Sequence, residues 1–319
     1  MKLQTKVPLN PAGKKISYES DILLLGSCFV ENIGERLEHF KFRSVLNPFG
    51  IIYNTTSITR LIDRAVRSEL FTADDVFEHR SLYHSYEAHS QLSASSVEAA
   101  VDKLNGALDV LKESVNNSTH IFITLGTAWV YVENNSGQTV ANCHKVPQEE
   151  FERKLQDVET IRDEILKIHS LISSVNPEAQ IVFTVSPVRH LKDGFTGNQV
   201  SKAHLVAGLN AAMQSEEQLS YFPSYEVVMD ELRDYRFYAT DLLHLNEMGI
   251  TYVWECFSKV YFSEPVREAM KKVDNLQKGL RHRVFNAESE EYFKFREKLE
   301  RQKKDLMTRF PHMKFEGYA

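Results

Sequence analysis

Cysteine is scarce in this 319-residue chain: Cys28, Cys143 and Cys256 are too few and too widely spaced for a disulfide framework or a paired zinc motif. At least one thiol must be free. No apolar run approaches the length of a membrane span, and the opening MKLQTKVPLNPAG lacks the apolar core of a signal peptide. There is no basic block either. The 38 Lys and Arg are scattered among 44 Asp and Glu, giving a net charge of −6 with no cationic face interleaved with aromatics. Internal repeats, low-complexity tracts and obvious linkers are also missing. These absences lead to the expectation of a cytoplasmic globular protein with neither nucleic acid nor membrane as a partner.

What the chain does have is enough apolar content, 42%, to bury one large core or two modest ones. Strand-like apolar runs recur at 22–25, 121–125, 181–185 and, more weakly, 225–229. Between them, 57–67, 97–115, 149–173 and 201–215 carry apolar residues at three- and four-residue intervals, the spacing of helices that cover a sheet. Such alternation predicts an α/β protein with a central, mostly parallel sheet. One stretch breaks the pattern. Residues 128–133 and 138–142 flank the polar turn Asn134-Asn135-Ser136-Gly137, which reads as a β-hairpin projecting from the main sheet. After Phe262 the chain becomes charged and helical, with a start at Pro265 and a long run over 288–309. This predicts a main domain over 1–262 and a helical extension over 263–319, packed on or beside it or mediating homodimer contact.

Two stretches carry chemistry. In ILLLGSCFVENIG (22–34), four apolar residues are followed by Gly26, then Ser27 and Cys28, and then by a helical face built on Val30, Ile33, Leu37 and Phe40. A strand-to-helix turn of this kind can hold a nucleophile. In DLLHLN (241–246), the spacing lets Asp241 accept the Nδ1 proton of His244 and leaves Nε2 free for a nucleophile, with Asn246 as the cap of the helix that follows. Asn142-Cys143-His144 is a poor nucleophile–base couple and fits a substrate-lining role better. His79, His84 and His89 lie in a polar stretch without metal-ligand spacing, and Arg189 and His190 end a strand on the side where substrate would sit.

A strand–Gly–nucleophile turn near the start and a late D-x-x-H resemble the GDSL/SGNH hydrolases. More specifically, the chain resembles the GSCFA family through GSCFV (26–30), NPFGIIYN (47–54), ITLGTAWVY (123–131), ANCHKVP (141–147), FTVSPV (183–188), YFPSYE (221–226) and DLLH (241–244). The resemblance implies a three-layer α/β/α sandwich with its site at the carboxyl ends of the strands. It also implies an ester hydrolase or acyltransferase acting on a small-molecule or carbohydrate ester, with no metal or organic cofactor. Aligned without gaps, Cys28 takes the nucleophile position; the competing register keeps Ser27. His244 and Asp241 complete the arrangement, and Gly50 matches the glycine that supplies an oxyanion N–H. The oxyanion asparagine is replaced by Ala128, so another group replaces that donor or the enzyme is slow; Thr127, Asn47 and Asn142 are the candidates, with His144 nearby in a substrate-lining role. A thiol at the start of a helix is expected to be a stabilised thiolate. The alternative function is a hydrolase-like binding protein that keeps the cleft for a small ligand or glycan.

Overall fold

A computed structural model of the protein describes residues 4–282 and 289–315. The chain enters the core with β1 (Asp21–Gly26), continues through α1 (Cys28–His39), β2 (Arg43–Leu46) and α2 (Thr55–Arg67), and then makes a small hairpin, β3 (Phe77–His79) and β4 (Leu82–His84). Next come α3 (Val97–Asn117), β5 (His120–Leu125), β6 (Trp129–Glu133), β7 (Thr139–Val140), β8 (Phe151–Leu155), α4 (Val158–Val175) and β9 (Gln180–Val185). The last part holds α5 (Gly194–Ser215), β10 (Ser220–Tyr221), the single turn α6 (Ser224–Glu226), a π-helical turn (Val227–Glu231), α7 (Glu247–Tyr261), α8 (Glu264–Leu280) and α9 (Glu290–Arg309).

Among the described residues the main sheet has the order β10-β9-β5-β1-β2, with every neighbouring pair parallel. Because successive side chains on a strand face opposite ways, the sheet divides its apolar residues between two cores. Ile22, Leu24, Phe122 and Val182 face the layer of α1, α7, α8 and α9. Leu23, Leu25, Ile121, Ile123, Ile181 and Phe183 face α2, α3, α4 and α5. The protein is therefore a three-layer α/β/α sandwich. Its strand order reverses direction at β1, so the carboxyl ends of β1 and β5 diverge into loops on opposite sides and leave a crevice between them.

Several local expectations need correction. Residues 225–229 are not a strand: Pro223 precedes them, Ser224 Oγ donates to the Val185 carbonyl (2.9 Å), and the chain winds into α6 and the π-helical turn. The edge strand is instead the two-residue β10. A short apolar run carries no periodicity that separates strand from buried helix. Residues 149–173 are not one helix either, since Phe151–Leu155 pairs antiparallel with β6 and α4 starts only after the Asp157 cap. β2, half-buried at the other edge, has no strong apolar signature. The hairpin is present as β6 and β7, with Tyr131 opposite Val140. Of the long run expected over 288–309, Glu288 lies outside the described residues.

The C-terminal helices share the first core. Ala269, Met270, Val273 and Leu276 of α8, Leu299 and Leu306 of α9, and Phe310 and Met313 beyond it belong to the cluster that includes α1 and α7. Phe310 packs on Tyr18, which stacks on Phe42 at 4.4 Å between ring centroids. No helix among the described residues is long and apolar enough to cross a membrane.

Because Leu306 is 4% exposed within this shared core, Leu306→Ala should destabilise the whole protein by about 2–5 kcal/mol in urea denaturation, within a single unfolding transition. A separate early transition, with the sheet unaffected, would show that the tail is a satellite and not part of the core.

Candidate active site

The site begins where β1 passes closest to β5. Gly26 has φ +127°, and a Cβ there would lie 2.2 Å from the Thr124 carbonyl oxygen, so only glycine fits the turn. The Gly26 N–H donates to Asn47 Oδ1 (2.9 Å), and the Ser27 N–H donates to the Thr124 carbonyl (3.1 Å). Ser27 is the extended N-cap of α1, but its side chain makes no capping hydrogen bond. Its Oγ is buried without a partner. Cys28, the first helical residue, is half-buried and points its Sγ at His244 Nε2, 3.8 Å away. It is Cys28 and not Ser27 that meets the histidine.

On the opposite side, Leu242 adopts a left-handed conformation at φ +59°, which costs a leucine about 1–2 kcal/mol. That strain closes a tight DLLH turn. Asp241 Oδ1 accepts the backbone N–H groups of Leu243 (2.9 Å) and His244 (3.0 Å), while Oδ2 lies 2.6 Å from His244 Nδ1. The His244 hydrogen bond and then the two backbone N–H groups hold the Asp241 pKa down at about 2. An ionised Asp241 fixes the proton on Nδ1, leaving Nε2 as the acceptor that faces Cys28. The side chains of His244 and Asp241 are about half exposed, at 51% and 46%, so water reaches the base.

The expected resting thiolate is a correction. Burial, followed by the Glu31 carboxylate one turn along α1, raises the Cys28 pKa; the Lys202 ammonium and the N–H groups of Cys28 and Phe29 oppose them without prevailing. A helix N-terminus is a fraction of a charge, and here desolvation outweighs it. Cys28 is therefore held as a thiol, with His244 Nε2 the ring nitrogen that faces it.

The oxyanion donors also differ from expectation. The Gly50 N–H is already spent on the Asn47 carbonyl (2.7 Å). Thr127 Oγ1 is paired with Ser201 Oγ (2.9 Å) and accepts the Trp129 N–H (3.1 Å), and the N–H of the fully buried Ala128 donates to Ser201 Oγ (2.7 Å). Asn142 Oδ1 accepts the His144 N–H (2.8 Å), and both ring nitrogens of His144 are engaged, with the Ser85 carbonyl and Ser90 Oγ. What remains are the Asn142 amide, whose Oδ1 alone is engaged and which lines the neighbouring cavity, and Asn47. Its Oδ1 is held by Gly26, and its buried Nδ2 makes no hydrogen bond of acceptable geometry, although Glu31 stands close enough to have its pKa affected.

Beside the turn lies a cavity of about 290 Å³ lined by Tyr53, Trp129, Tyr131, Asn142, Cys143 and Lys192, among others. Tyr53 belongs to both places, since a Cβ on Gly126 would lie 2.5 Å from Tyr53 Cβ and 3.4 Å from Ser27 Cβ. His190 packs its ring 5.5 Å from that of Tyr53, and burial brings its pKa down to about 4. Arg189 instead reaches Met229 Sδ (3.3 Å). Of the other histidines singled out in the sequence, His84 bonds to Ser93 Oγ and the His79 carbonyl, His89 caps the turn at Ser90–Leu92, and His79 Nε2 is buried without a partner. No group of three or more His, Cys, Asp or Glu among the described residues is placed to hold a metal. Sequence reasoning missed Tyr53, Glu31 and Lys202. Only Lys202 had a signal, as a lysine in helical register with Leu205 and Leu209 on a buried face.

The fold and the site together define a parallel α/β/α sandwich with a cysteine, a histidine and an aspartate in line at its strand-order reversal. Residues 21–257 match the model of the GSCFA family, and the chain belongs to that family. Residues 273–317 match a second model, described as GSCFA domain protein, C-terminal domain. No curated protein matches the chain. Among solved structures it is similar to an acetyl xylan esterase (Est2A) from the rumen bacterium Butyrivibrio proteoclasticus, at 11% identity and a TM-score of 0.35, covering 65% of this chain and 56% of that one.

The Asp241 carboxyl titrates lower in the folded protein than in the unfolded chain, where it would sit near 3.8. Its contribution to stability is therefore present above the unfolded value and disappears as pH falls through about 2. Thermal unfolding of wild type and Asp241→Asn should differ at pH 6 and converge toward pH 2. A difference that persists unchanged at pH 2 would show that the carboxylate charge is not what holds the turn.

Proposed function

We propose that the protein is an ester hydrolase or acyltransferase of SGNH type that uses Cys28 as its nucleophile. The observation that carries this reading is the line from Cys28 Sγ to His244 Nε2 (3.8 Å) and from His244 Nδ1 to Asp241 Oδ2 (2.6 Å) at the end of β1. The strand-order reversal between β1 and β5 and the GSCFA motif support it.

His244 Nε2 takes the thiol proton as Sγ attacks the acyl carbon, and the carbonyl π electrons move to oxygen. Asn47 Nδ2 and the free N–H groups of the first turn of α1 receive the oxyanion. Collapse of the tetrahedral adduct breaks the bond to the alkoxy oxygen, which leaves as an alcohol with the proton from His244. The thioester is then attacked by water or by a second alcohol, with His244 again accepting the proton, and the thiol is regenerated. Exposure of the His244–Asp241 pair admits either acceptor. Trp129, Tyr131 and Tyr53 line the neighbouring cavity together with Asn142, Gln148 and Lys192, a mix of aromatic and polar groups suited to a sugar, so we read the substrate as an O-acyl ester, a carbohydrate ester among the candidates.

A second reading, a ligand-binding protein with degraded hydrolytic machinery, draws on the raised Cys28 pKa and on Gly50 and Ala128, whose N–H groups are already bonded. Turnover of aryl acetates, acetylated sugars and thioesters separates the two. In folded variants, Cys28→Ala and His244→Ala should lower kcat by roughly 10³-fold or more, while Ser27→Ala should stay within about tenfold. Undiminished turnover in Cys28→Ala would reject the thiol nucleophile, and loss in Ser27→Ala alone would reinstate the serine. Absence of turnover with every ester, together with unchanged ligand binding in His244→Ala, would favour the binding protein.

A further inference from the structure

The cavity beside the Gly26–Cys28 turn carries two lysines and no acid. Lys145 and Lys192, both exposed, line it together with Tyr53, Trp129, Tyr131 and Asn142, and neither Asp nor Glu is among the lining residues. This is a local exception in a chain whose net charge is −6. Among the described residues neither lysine has a hydrogen-bond or ion-pair partner. The carboxylates nearest in the chain are engaged elsewhere or stand outside. Asp193, on which Lys192 acts, is ion-paired with Arg153, and Glu133 accepts the N–H groups of Asn135 (3.1 Å) and Ser136 (2.7 Å). Glu149 and Glu150 follow the lining residue Gln148 on the exposed surface and do not line the cavity.

Lys145 is held at the cavity by a strained turn. His144 (φ +49°) and Lys145 (φ +61°) are consecutive left-handed residues, conformations usually given to asparagine and glycine, and the Val146 N–H closes the turn on the Cys143 carbonyl (2.9 Å). The buried His144 braces it. Its N–H donates to Asn142 Oδ1 (2.8 Å), its Nε2 donates to the Ser85 carbonyl (2.7 Å), and its Nδ1 accepts from Ser90 Oγ (3.0 Å). Backbone strain of this kind persists only where surrounding bonds impose it, and it gathers at ligand-binding sites. The aromatic wall is fixed as well: Trp129 Nε1 donates to the Gly197 carbonyl (3.1 Å), and the Arg153 guanidinium lies 3.8 Å from the indole ring centre. Asp193 balances that guanidinium, so the two unpaired lysines set the charge of the cavity. Tyr53 connects it to the turn, since the Tyr53 carbonyl accepts the Gly126 N–H (2.8 Å) and Gly126 packs against Ser27.

We propose that the cavity selects an anionic sugar: Lys145 and Lys192 receive a carboxylate or sulfate on the ring, Trp129 and Tyr131 take its apolar face, and the O-acyl group extends past Tyr53 toward Cys28. The placement of the acyl group rests on the reading of the protein as an ester hydrolase or acyltransferase, whereas the charge preference does not. Pockets for drug-sized ligands run from about 300 to 1,000 Å³, so a cavity of about 290 Å³ suits one sugar ring better than an extended chain. Lysines that have no carboxylate of their own break no ion pair when the anion arrives, and aromatic walls on one side reduce its screening by solvent.

The test measures binding with probes whose acetyl group is held by an amide, which an esterase leaves intact: methyl N-acetylglucosaminide, which is neutral, its uronic-acid counterpart and its O-sulfate. Tryptophan fluorescence reports occupancy, because Trp129 lines the cavity and the other tryptophan, Trp254, is buried in the first core. At low salt the full chain should bind at least one anionic sugar about tenfold more tightly than the neutral one, and the preference should shrink as salt rises. Lys145→Gln and Lys192→Gln should each remove about threefold of it, and the double variant nearly all, with affinity for the neutral sugar unchanged. Lys145→Asn, a residue that tolerates the left-handed backbone, replaces Lys145→Gln if the glutamine loosens the turn. Preference for the carboxylate, the sulfate or both supports the inference and identifies the anion. Equal affinity for all three sugars, binding of none, or a preference that survives in the folded double variant overturns it. Ester turnover is judged separately: no hydrolysis of any ester, beside an intact lysine-dependent preference, would reject the hydrolase reading and leave the anion site standing.

Discussion

The close passage of β1 against β5 is the constraint on which the site depends. At Gly26 the two backbones come so near that a single carbon atom would collide with the Thr124 carbonyl, and the Ser27 N–H is drawn onto that same oxygen. The chain has to turn there, and α1 starts at once. Cys28 is thereby fixed at the first helical position, aimed into the crevice that the strand order opens between β1 and β5. Asn47 braces the turn from the far side by accepting the Gly26 N–H, and its amide stands close enough to Glu31 to act on that carboxyl.

Around that turn, electrostatics are divided by burial. Asp241 and His244 stand half in solvent, where a carboxylate is cheap to keep ionised and a strained leucine holds it against the imidazole. Cys28 stands half-buried and Lys202 fully buried, where each charge is disfavoured by desolvation. On the proposed reading, a thiol with a raised pKa facing a histidine that an ionised aspartate holds suits proton transfer in step with attack better than attack by a standing thiolate. The hairpin strands and Tyr53 then wall a cavity that borders the turn through Tyr53 and Gly126.

Much of the fold could be read in the sequence because burial writes itself into periodicity. The runs that became β1, β5 and β9 are apolar on both faces, as strands covered by two helical layers must be, and α2, α3 and α5 show the three- and four-residue spacing of one buried face. The errors fall where that signal fades. β2 and β10 are edge strands with little to bury, β8 is largely exposed along its charged FERKL, and the 225–229 run is too short to show a period. The D-x-x-H spacing and the Gly-Ser-Cys turn were legible as local geometry, since each needs only a few neighbouring residues to form.

The sequence by itself determined which residues have the chemistry: a thiol at a strand-to-helix turn, and an aspartate three residues before a histidine, in a chain whose alternating elements require a parallel sheet. Tertiary structure alone decided which of them meet. Cys28 and His244 are separated by 216 positions, and only the strand order places them 3.8 Å apart. That Cys28 and not Ser27 faces His244 follows from the direction in which the turn aims successive side chains. The engagement of the Gly50 N–H and Thr127, the placement of Asn47 and the enclosure of Lys202 all depend on partners distant in the chain. Hydrogen bonds and desolvation are properties of neighbours in space, and no local pattern encodes them.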